Sequence, residues 1–274
     1  MKIVSIGEIT IDHYLDLNQT FVGGISLNFA VHAKRSGADV VSLISCVGTD
    51  VGGHRVLSML SAEGVDASHL KVVEGETASI DITVTPEGER IFPAGGYHHN
   101  ALGALHLDDS DIAFIHEHDI LVFRFDRTNP AMLINRPVGD VAFAGLAVVD
   151  VGGWAKYAQA YGDGGDALLT LFAPLDLVFI SGDQATVETL LPLSKRFEGL
   201  FVITMGAAGS IALLDGQPLF QPAIPVPAAT DSTGCGDAFQ AAFTVAYADG
   251  APIVDALRCG AEQAAIVVQR YGAI

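Results

Sequence analysis

Five short apolar runs rich in Val, Ile and Phe recur along the chain, and they constrain its fold more than any other feature of the sequence. Between them lie segments with helical spacing, such as Ser26–Arg35, which stops at Gly37. Wholly apolar strands are typical of a sheet covered on both faces, and their alternation with helices favours parallel pairing. The sequence therefore predicts an α/β fold with a mainly parallel central sheet. The predicted strands are Lys2–Ile6, Val40–Cys46, Asp119–Phe123, Asp176–Ile180 and Leu200–Thr204.

Two segments interrupt this alternation. His13–Val22 alternates polar and apolar residues, and a hairpin pattern runs from Thr77 to Phe92 around the turn Pro86–Glu89. These segments predict a small sheet that projects from the main body and covers a cleft as a lid. We expect one domain over residues 1–274, with the lid formed by about 13–22 and 71–93.

The nine residues DSTGCGDAF, from Asp231 to Phe239, precede an alanine-rich run with helical character. Gly234 and Gly236 allow backbone conformations closed to other residues and let a ligand approach the chain. The N–H groups in the first turn of a helix have no intrahelical partner, and they lie at the positive end of the helix dipole. The stretch therefore predicts an anion hole suited to a phosphate group.

Asp237 lies at the edge of this predicted anion hole. In that position it could take the proton of a hydroxyl group whose oxygen attacks a phosphoryl group held by the neighbouring amides. Asp is also a common helix-capping residue, so the tetrapeptide GxGD alone leaves a structural role open.

Three further motifs accompany DSTGCGD. They are GGxxxNxA from Gly23 to Ala30, VGTDxxG from Val47 to Gly53, and TMGAAGS from Thr204 to Ser210. With these four motifs in order, the chain resembles the ribokinase-like (PfkB) family of carbohydrate kinases from Ile3 to Gly272. The resemblance implies a three-layer αβα sandwich with a mainly parallel central sheet and a small β lid. It also implies transfer of the γ-phosphate of MgATP to a hydroxyl group of a sugar.

The resemblance assigns roles to individual residues. Asp237 becomes the catalytic base, the backbone amides beside it become the anion hole, and four residues near the first strand bind sugar hydroxyls. The anion-hole residues are Gly234, Cys235 and Gly236, and the sugar-binding residues are Asp12, Gly23, Gly24 and Asn28.

The nucleotide side of the site is implied in the same way. Thr204, Gly206 and Gly209 match the family's turn beside the nucleotide phosphates, and Ser181 and Gln184 occupy two further positions expected to bind the cofactor. Asp231 and Thr233 match a pair that in many members helps to bind a monovalent cation. The implied cofactors are therefore ATP and Mg²⁺, with K⁺ as a further expectation.

Two departures from the family pattern affect these expectations. Many relatives carry Asn-x-x-Glu where this chain has Ser181–Gln184, and the neutral Gln cannot supply the charge that organises magnesium through water. Asp183, or the phosphates and water alone, would then hold the ion. Cys235 stands where relatives often have Ala, and a thiol at a helix N-terminus can have a lowered pKa, which suggests a site of oxidation.

Within the family, the chain is most similar to short members of the fructoselysine 6-kinase type. The similarity rests on IGEITIDHYLDLNQTFVGGISLNFAV, with its short first lid segment, and on the closing QAAIVVQRYGA. It implies a fructosamine such as fructoselysine as the acceptor, while ribose, another ketose and a sugar acid remain alternatives. The lid sheet often forms a dimer surface in this family, so a homodimer through the lid is a further expectation.

Composition restricts the class of partner. The formal net charge is −18, from 14 basic and 32 acidic residues, and it would repel a nucleic-acid backbone.

The N-terminal sequence MKIVSIGEITID lacks the pattern of a signal peptide, and no apolar run approaches the length of a bilayer span. The cytoplasm is therefore the expected location, and no membrane contact is expected.

Other functional classes fit the sequence less well. An NAD-dependent or nucleotide-sugar oxidoreductase would need GxGxxG after the first strand, and the motif is absent. A sugar or nucleotide sensor with the same fold would not need Asp237. The histidines His98, His99, His116 and His118 lack the HExxH spacing of a metal site, which favours solvated surface positions.

Overall fold

A computed structural model describes residues 1–124, 142–154 and 165–274. Its larger sheet has nine strands in the order β14-β13-β12-β11-β10-β9-β1-β4-β5, and the seven from β12 to β5 are parallel. The strands are β1 (Lys2–Ile6), β2 (Thr10–Tyr14), β3 (Gln19–Gly23), β4 (Val40–Gly48), β5 (Leu70–Val73), β6 (Ser79–Val84), β7 (Arg90–Ile91), β8 (Tyr97–His98), β9 (Ile120–Arg124), β10 (Leu146–Gly153), β11 (Leu177–Ser181), β12 (Leu200–Thr204), β13 (Ser210–Leu214) and β14 (Gln217–Gln221).

Helices cover both faces of this sheet, as the apolar strands predict. Successive strand residues point to opposite faces, so Ile3 belongs to one apolar cluster and Val4 to the other. Helices α1, α6 and α7 contribute to the first cluster, and α3, α4 and α5 contribute to the second. The helices are α1 (Ile25–Arg35), α2 (Val51–Glu63), α3 (Asp109–Ile115), α4 (Gly165–Phe172), α5 (Gln184–Leu193), α6 (Cys235–Ala248) and α7 (Ile253–Val267). The predicted αβα sandwich is therefore confirmed.

The small sheet consists of β3, β2, β6 and β7 in that order, with β8 paired to β6. The expected second lid segment, 71–93, needs a correction at both ends. Leu70–Val73 pairs in parallel with β4 and belongs to the large sheet, whereas Tyr97–His98 extends the small sheet beyond residue 93. The first segment likewise starts earlier, because Thr10–Tyr14 pairs with both β3 and β6.

Helix α7 ends at Val267, although the chain continues for seven more residues. The reason lies in the backbone of the DSTGCGD segment, because the N–H groups of Thr230 and Asp231 both donate to the carbonyl oxygen of Val268. The chain then turns back so that Gly272 reaches the same segment. The closing residues thus support the anion-hole turn.

The prediction that the four histidines lie at the surface has a mixed outcome. His98 and His99 are exposed, but His118 is buried and its ring hydrogen-bonds the Ser42 hydroxyl, so the surface prediction was wrong for His118.

Within residues 1–124, 142–154 and 165–274, no helix is both long and apolar enough to cross a bilayer.

Candidate active site

The turn before helix α6 has the geometry that DSTGCGD predicts. Gly234 caps the helix in the left-handed region, with φ 76°, and a Cβ there would lie 2.3 Å from the Cβ of Ala273. A Cβ on Gly236 would meet no atom of the described residues within 4 Å, so the backbone of the first turn borders open space in the described part of the chain. The Cys235 amide donates to Ser232 O at 3.3 Å, which ties one of the three predicted anion-hole donors to the turn. The open first turn can therefore receive an anion.

Asp231 holds this turn in place. Its carboxylate is fully buried and accepts from Tyr14 Oη at 2.5 Å, from Gly272 N at 3.0 Å, and from Thr233 N and Oγ1 at 2.9 and 2.6 Å. Four bonds take up the acceptor positions of an ionised carboxylate. The side chain of Asp231, with Thr233 bonded to it, therefore fits a structural role better than the predicted role in binding a monovalent cation.

Asp237 projects from the first turn of α6 and contacts Asn28 of α1. Asn28 Nδ2 donates to Asp237 Oδ2 at 2.7 Å, which leaves Oδ1 for another donor. Desolvation raises the pKa of Asp237 to about 7, the hydrogen bond from Asn28 opposes the shift, and the negative charge of Asp150 adds to it. A carboxyl group with a pKa near neutrality suits general base catalysis.

The residues predicted to bind the hydroxyl groups of the sugar lie around the Asn28–Asp237 pair. Asp12 is buried and accepts from Thr10 Oγ1 at 2.6 Å, and burial raises its pKa to about 7. A Cβ on Gly23 would come within 2.2 Å of Asp12 Oδ2, which explains why this position has no side chain. Gly24 has φ 104° and begins α1, where a Cβ would clash with the backbone of Ile9.

Asn28 also carries an unsatisfied acceptor. The residue is 3% exposed, and its Oδ1 has no hydrogen-bond partner within the described parts of the chain. Buried acceptors are normally paired because an orphan costs free energy. A hydroxyl or amine donor from a bound acceptor substrate would satisfy this atom.

The nucleotide residues lie at the carboxyl ends of two neighbouring strands. Ser181 ends β11 and Thr204 ends β12, and their hydroxyl oxygens are 3.5 Å apart. Gly206 and Gly209 have positive φ in the following turn, and a Cβ on Gly206 would meet nothing within 4 Å. Ligands of open parallel sheets bind beyond such strand ends. Ser181, Thr204 and Gly206 thus border the strand ends where an ATP phosphate chain would lie, whereas Gly209 is required by packing, because a Cβ there would lie 2.3 Å from Gln221 O.

Gln184 departs from this arrangement. Its side chain is exposed and donates to Glu188 one turn further along α5, and Asp183 caps that helix by accepting from Thr186 N at 2.9 Å. No cluster of three metal-ligating side chains exists among the described residues. Because Gln184 is neutral and Asp183 is engaged in capping, Mg²⁺ bound beside them would take ligands from phosphate oxygens and water.

The tip of the small sheet contacts the anion-hole segment. Ser232 N donates to Gly88 O at 2.8 Å, and Arg90 Nη1 donates to Ser232 O at 2.8 Å. The positive charge of Arg90 lowers the pKa of Asp237 against the effect of burial. The small sheet thus brings a cation close to the proposed base.

Cys235 does not have the reactive character expected of it. Burial raises the pKa of its thiol to about 12, the charge of Arg90 opposes the shift, and the charges of Asp231 and Asp237 add to it. Thiol groups with raised pKa values are poor nucleophiles. The expectation of a low thiol pKa was therefore wrong.

Sequence reasoning missed several residues that shape the site. Asp150 and Arg124 face each other on adjacent strands, and both charges act on Asp237. Glu8 and Tyr97 hydrogen-bond across the two sheets, and Tyr14 anchors Asp231. A signal was available for Arg124 and Asp150, because each ends an apolar run at the carboxyl edge, where open α/β sheets place their ligands.

A separate groove lies outside this site. It has a volume of about 430 Å³ and lies between β3, α2 and the closing residues, with Phe21, His54, Met59 and Gly272 in its wall. None of the predicted site residues lines this groove, and we therefore place the candidate active site at the motif residues and not in the groove.

Two known kinases match the sequence of this chain over nearly its full length. Fructosamine kinase FrlD of Bacillus subtilis is 28% identical over 281 residues, covering 100% of this chain and 93% of the relative. Fructoselysine 6-kinase of Escherichia coli is 28% identical over 276 residues, covering 99% and 98%.

Solved structures share the fold. Adenosine kinase of Sinorhizobium meliloti superposes with a TM-score of 0.81 at 18% identity, covering 99% of this chain and 95% of that one. Ribokinase of Arabidopsis thaliana, complexed with ribose and ATP, superposes with a TM-score of 0.76 at 19% identity, covering 99% and 93%.

The family model for pfkB family carbohydrate kinases matches residues 1–127 and 175–274. The match includes the anion-hole turn, the Asn28–Asp237 pair and the turn after β12. The chain is therefore a member of the PfkB family of carbohydrate kinases, phosphotransferases that act on an alcohol group and have a ribokinase-like fold.

Proposed function

We propose that this kinase transfers the γ-phosphate of ATP to a hydroxyl group of a fructosamine, a ketose that carries a substituted amine, such as fructoselysine. The observation that carries the catalytic part is the hydrogen bond between Asn28 and Asp237 at the open first turn of α6. The substrate class is supported by relatives named fructosamine kinase and fructoselysine 6-kinase, which match the chain over nearly its full length.

Asp237 acts as the general base in this proposal. Asn28 holds Oδ2, so the free Oδ1 accepts the proton of the substrate hydroxyl as its oxygen attacks the γ-phosphorus. The bond between the γ-phosphorus and the bridging oxygen breaks, and ADP leaves. Bound Mg²⁺ would neutralise charge on the phosphate oxygens.

The backbone and Arg90 stabilise the transferred group. Donors held in place before the reaction stabilise developing charge without reorganisation. The first-turn amides next to Gly234 supply such donors, and Arg90 approaches from the small sheet through its bond to Ser232 O. The small sheet in this position would act as the lid and keep water from the reacting phosphoryl group.

A panel of acceptors tests the proposed function. Purified protein with MgATP is assayed for ADP release with fructoselysine, a second fructosamine, fructose, ribose and a sugar acid. We expect the highest kcat/KM for the fructosamines. The proposal fails if ribose or the sugar acid is preferred, or if no acceptor raises ADP release above the rate without sugar.

The pH dependence of kcat/KM gives a further prediction. Asp237 is a base only when ionised, and its raised pKa of about 7 means that the proton is taken up as the pH falls through neutrality. We therefore expect kcat/KM to fall below about pH 7. Asp150→Asn removes a negative charge beside Asp237, lowers its pKa, and should move the fall to lower pH. An unchanged midpoint in this variant would contradict the electrostatic account.

A further inference from the structure

Glu8 lies in the seam between the two sheets, beside the acceptor residues. It follows β1, which is the strand between β4 and β9 in the large sheet, and its carbonyl oxygen accepts from Ser26 N at 3.2 Å. Its side-chain Oε2 accepts from Tyr97 Oη at 2.9 Å, and Tyr97 belongs to β8 of the small sheet. Main-chain and side-chain contacts thus hold the Glu8 carboxylate in place at this seam.

The negative charge of Glu8 is not paired with a positive side chain in the described part of the chain. Within the described ranges, no Lys, Arg or His forms an ion pair with Glu8. The charge of Glu8 acts on the carboxyl group of Asp12, whose pKa is raised by burial first and further by the charges of Glu8 and Asp237. On the acceptor side of the site, Asp12 is therefore repelled by two other carboxyl groups, those of Glu8 and Asp237.

Asn28 provides an independent observation on the same side of the site. Its Oδ1 is buried and has no partner among the described residues, while its Nδ2 donates to Asp237. A hydroxyl group satisfies this oxygen. A neutral sugar, however, brings no charge to balance the carboxylates, whereas a ligand with an amine brings both a charge and donors.

We propose that Glu8 is the residue that selects acceptors carrying a protonated amine beside their hydroxyl groups. A secondary ammonium group has two N–H donors and one positive charge, and the Glu8 oxygen that does not bond Tyr97 can accept from it. Asp12 and Asn28 then bind the hydroxyl groups. This inference rests on the proposed function and names the residue that gives the site its preference for fructosamines.

A matched pair of acceptors tests the role of Glu8. The first is 1-deoxy-1-methylamino-fructose, and the second is 1-O-methylfructose, in which an ether oxygen replaces the ammonium group. We expect wild-type protein to prefer the amine. Glu8→Gln should lower kcat/KM for the amine by about 10–100-fold, as expected for a lost hydrogen bond to a charged group, and leave the ether within about 3-fold.

Two further variants separate charge from structure. Tyr97→Phe removes the hydrogen bond to Glu8 but keeps the charge, so it should retain the preference for the amine. Glu8→Asp keeps the charge and should restore part of the preference. Thermal melts check that Glu8→Gln is folded, since its amide oxygen can still accept from Tyr97.

The outcomes distinguish this inference from the proposed function. If wild-type protein phosphorylates the amine but Glu8→Gln lowers kcat/KM equally for both acceptors, the role of Glu8 is wrong and the fructosamine assignment stands. If wild-type protein phosphorylates neither acceptor, the proposed function has failed. In that case, both compounds are tested as inhibitors that compete with the sugar that the protein does phosphorylate. Equal inhibition by the amine and the ether overturns the role of Glu8.

Discussion

Replacing Asp237 with Asn is expected to lower kcat by about 10²–10⁴-fold, the usual effect of removing a general base. Asn keeps the size of Asp and can still accept from Asn28 Nδ2, so the pair and the fold persist while the proton acceptor is lost. ATP and sugar should still bind, because the variant retains the anion-hole amides and the hydroxyl-binding residues. Steady-state kinetics and calorimetric titration measure the two effects separately.

The same substitution is expected to raise thermal stability. The folded protein holds the pKa of Asp237 at about 7, above the ordinary 3.8, so ionising the carboxyl group costs more in the folded than in the unfolded state. At pH 8 this cost is fully present in wild-type protein and absent in Asp237→Asn. A rise of the pKa from 3.8 to about 7 corresponds to about 4 kcal/mol at most, and burial of the Asn amide offsets much of it. We therefore expect the free energy of unfolding to rise by about 1 kcal/mol, which corresponds to about 2–4 °C in Tm at this chain length.

Asp249→Asn is the matched control. Asp249 is exposed and caps the other end of α6, so the same change there should alter kcat by less than about 2-fold and leave Tm nearly unchanged. The catalytic role of Asp237 is contradicted if Asp237→Asn retains most of the wild-type kcat. Loss of activity together with a large drop in Tm would point to a structural role instead.

Motif glycines and caps were predictable from the sequence because their causes are local. In VGTDxxG, Asp50 caps α2 by accepting from Gly53 N at 2.9 Å, and a Cβ on Gly53 would lie 2.0 Å from Gly48 O. A short segment fixes both contacts. The strand Leu200–Thr204 likewise has the bounds that its apolar run predicts.

Contacts between distant segments were not predictable in this way. The bonds from Tyr14 and Gly272 to Asp231 span 217 and 41 residues, and nothing near DSTGCGD in the sequence specifies them. The same holds for Leu70–Val73, whose short apolar pattern suits either sheet and whose pairing with β4 is decided by packing. The high pKa of the Cys235 thiol also depends on charges that the fold brings together.

Gly234→Ala is expected to have the second largest effect, with kcat lowered by about 10²–10³-fold, as when a donor to a developing oxyanion is lost. The left-handed conformation at φ 76° costs an Ala residue about 1–2 kcal/mol, and its Cβ would lie 2.3 Å from that of Ala273. The turn must therefore shift, and the amides of the anion hole shift with it. Both kcat and Tm should fall.

Two further glycines separate the causes of that loss. Gly64 has φ 68° at the end of α2 and would place a Cβ 3.6 Å from Lys34, so Gly64→Ala tests the backbone strain alone and should keep full kcat with a modest drop in Tm. Gly236→Ala adds a methyl group at a position with no neighbouring atom within 4 Å among the described residues, so it should fold with an unchanged Tm. If the space beside Gly236 receives the phosphates, this variant still loses activity, because the methyl group occupies the position of an oxygen. A fully active Gly236→Ala would mean that the phosphates bind elsewhere.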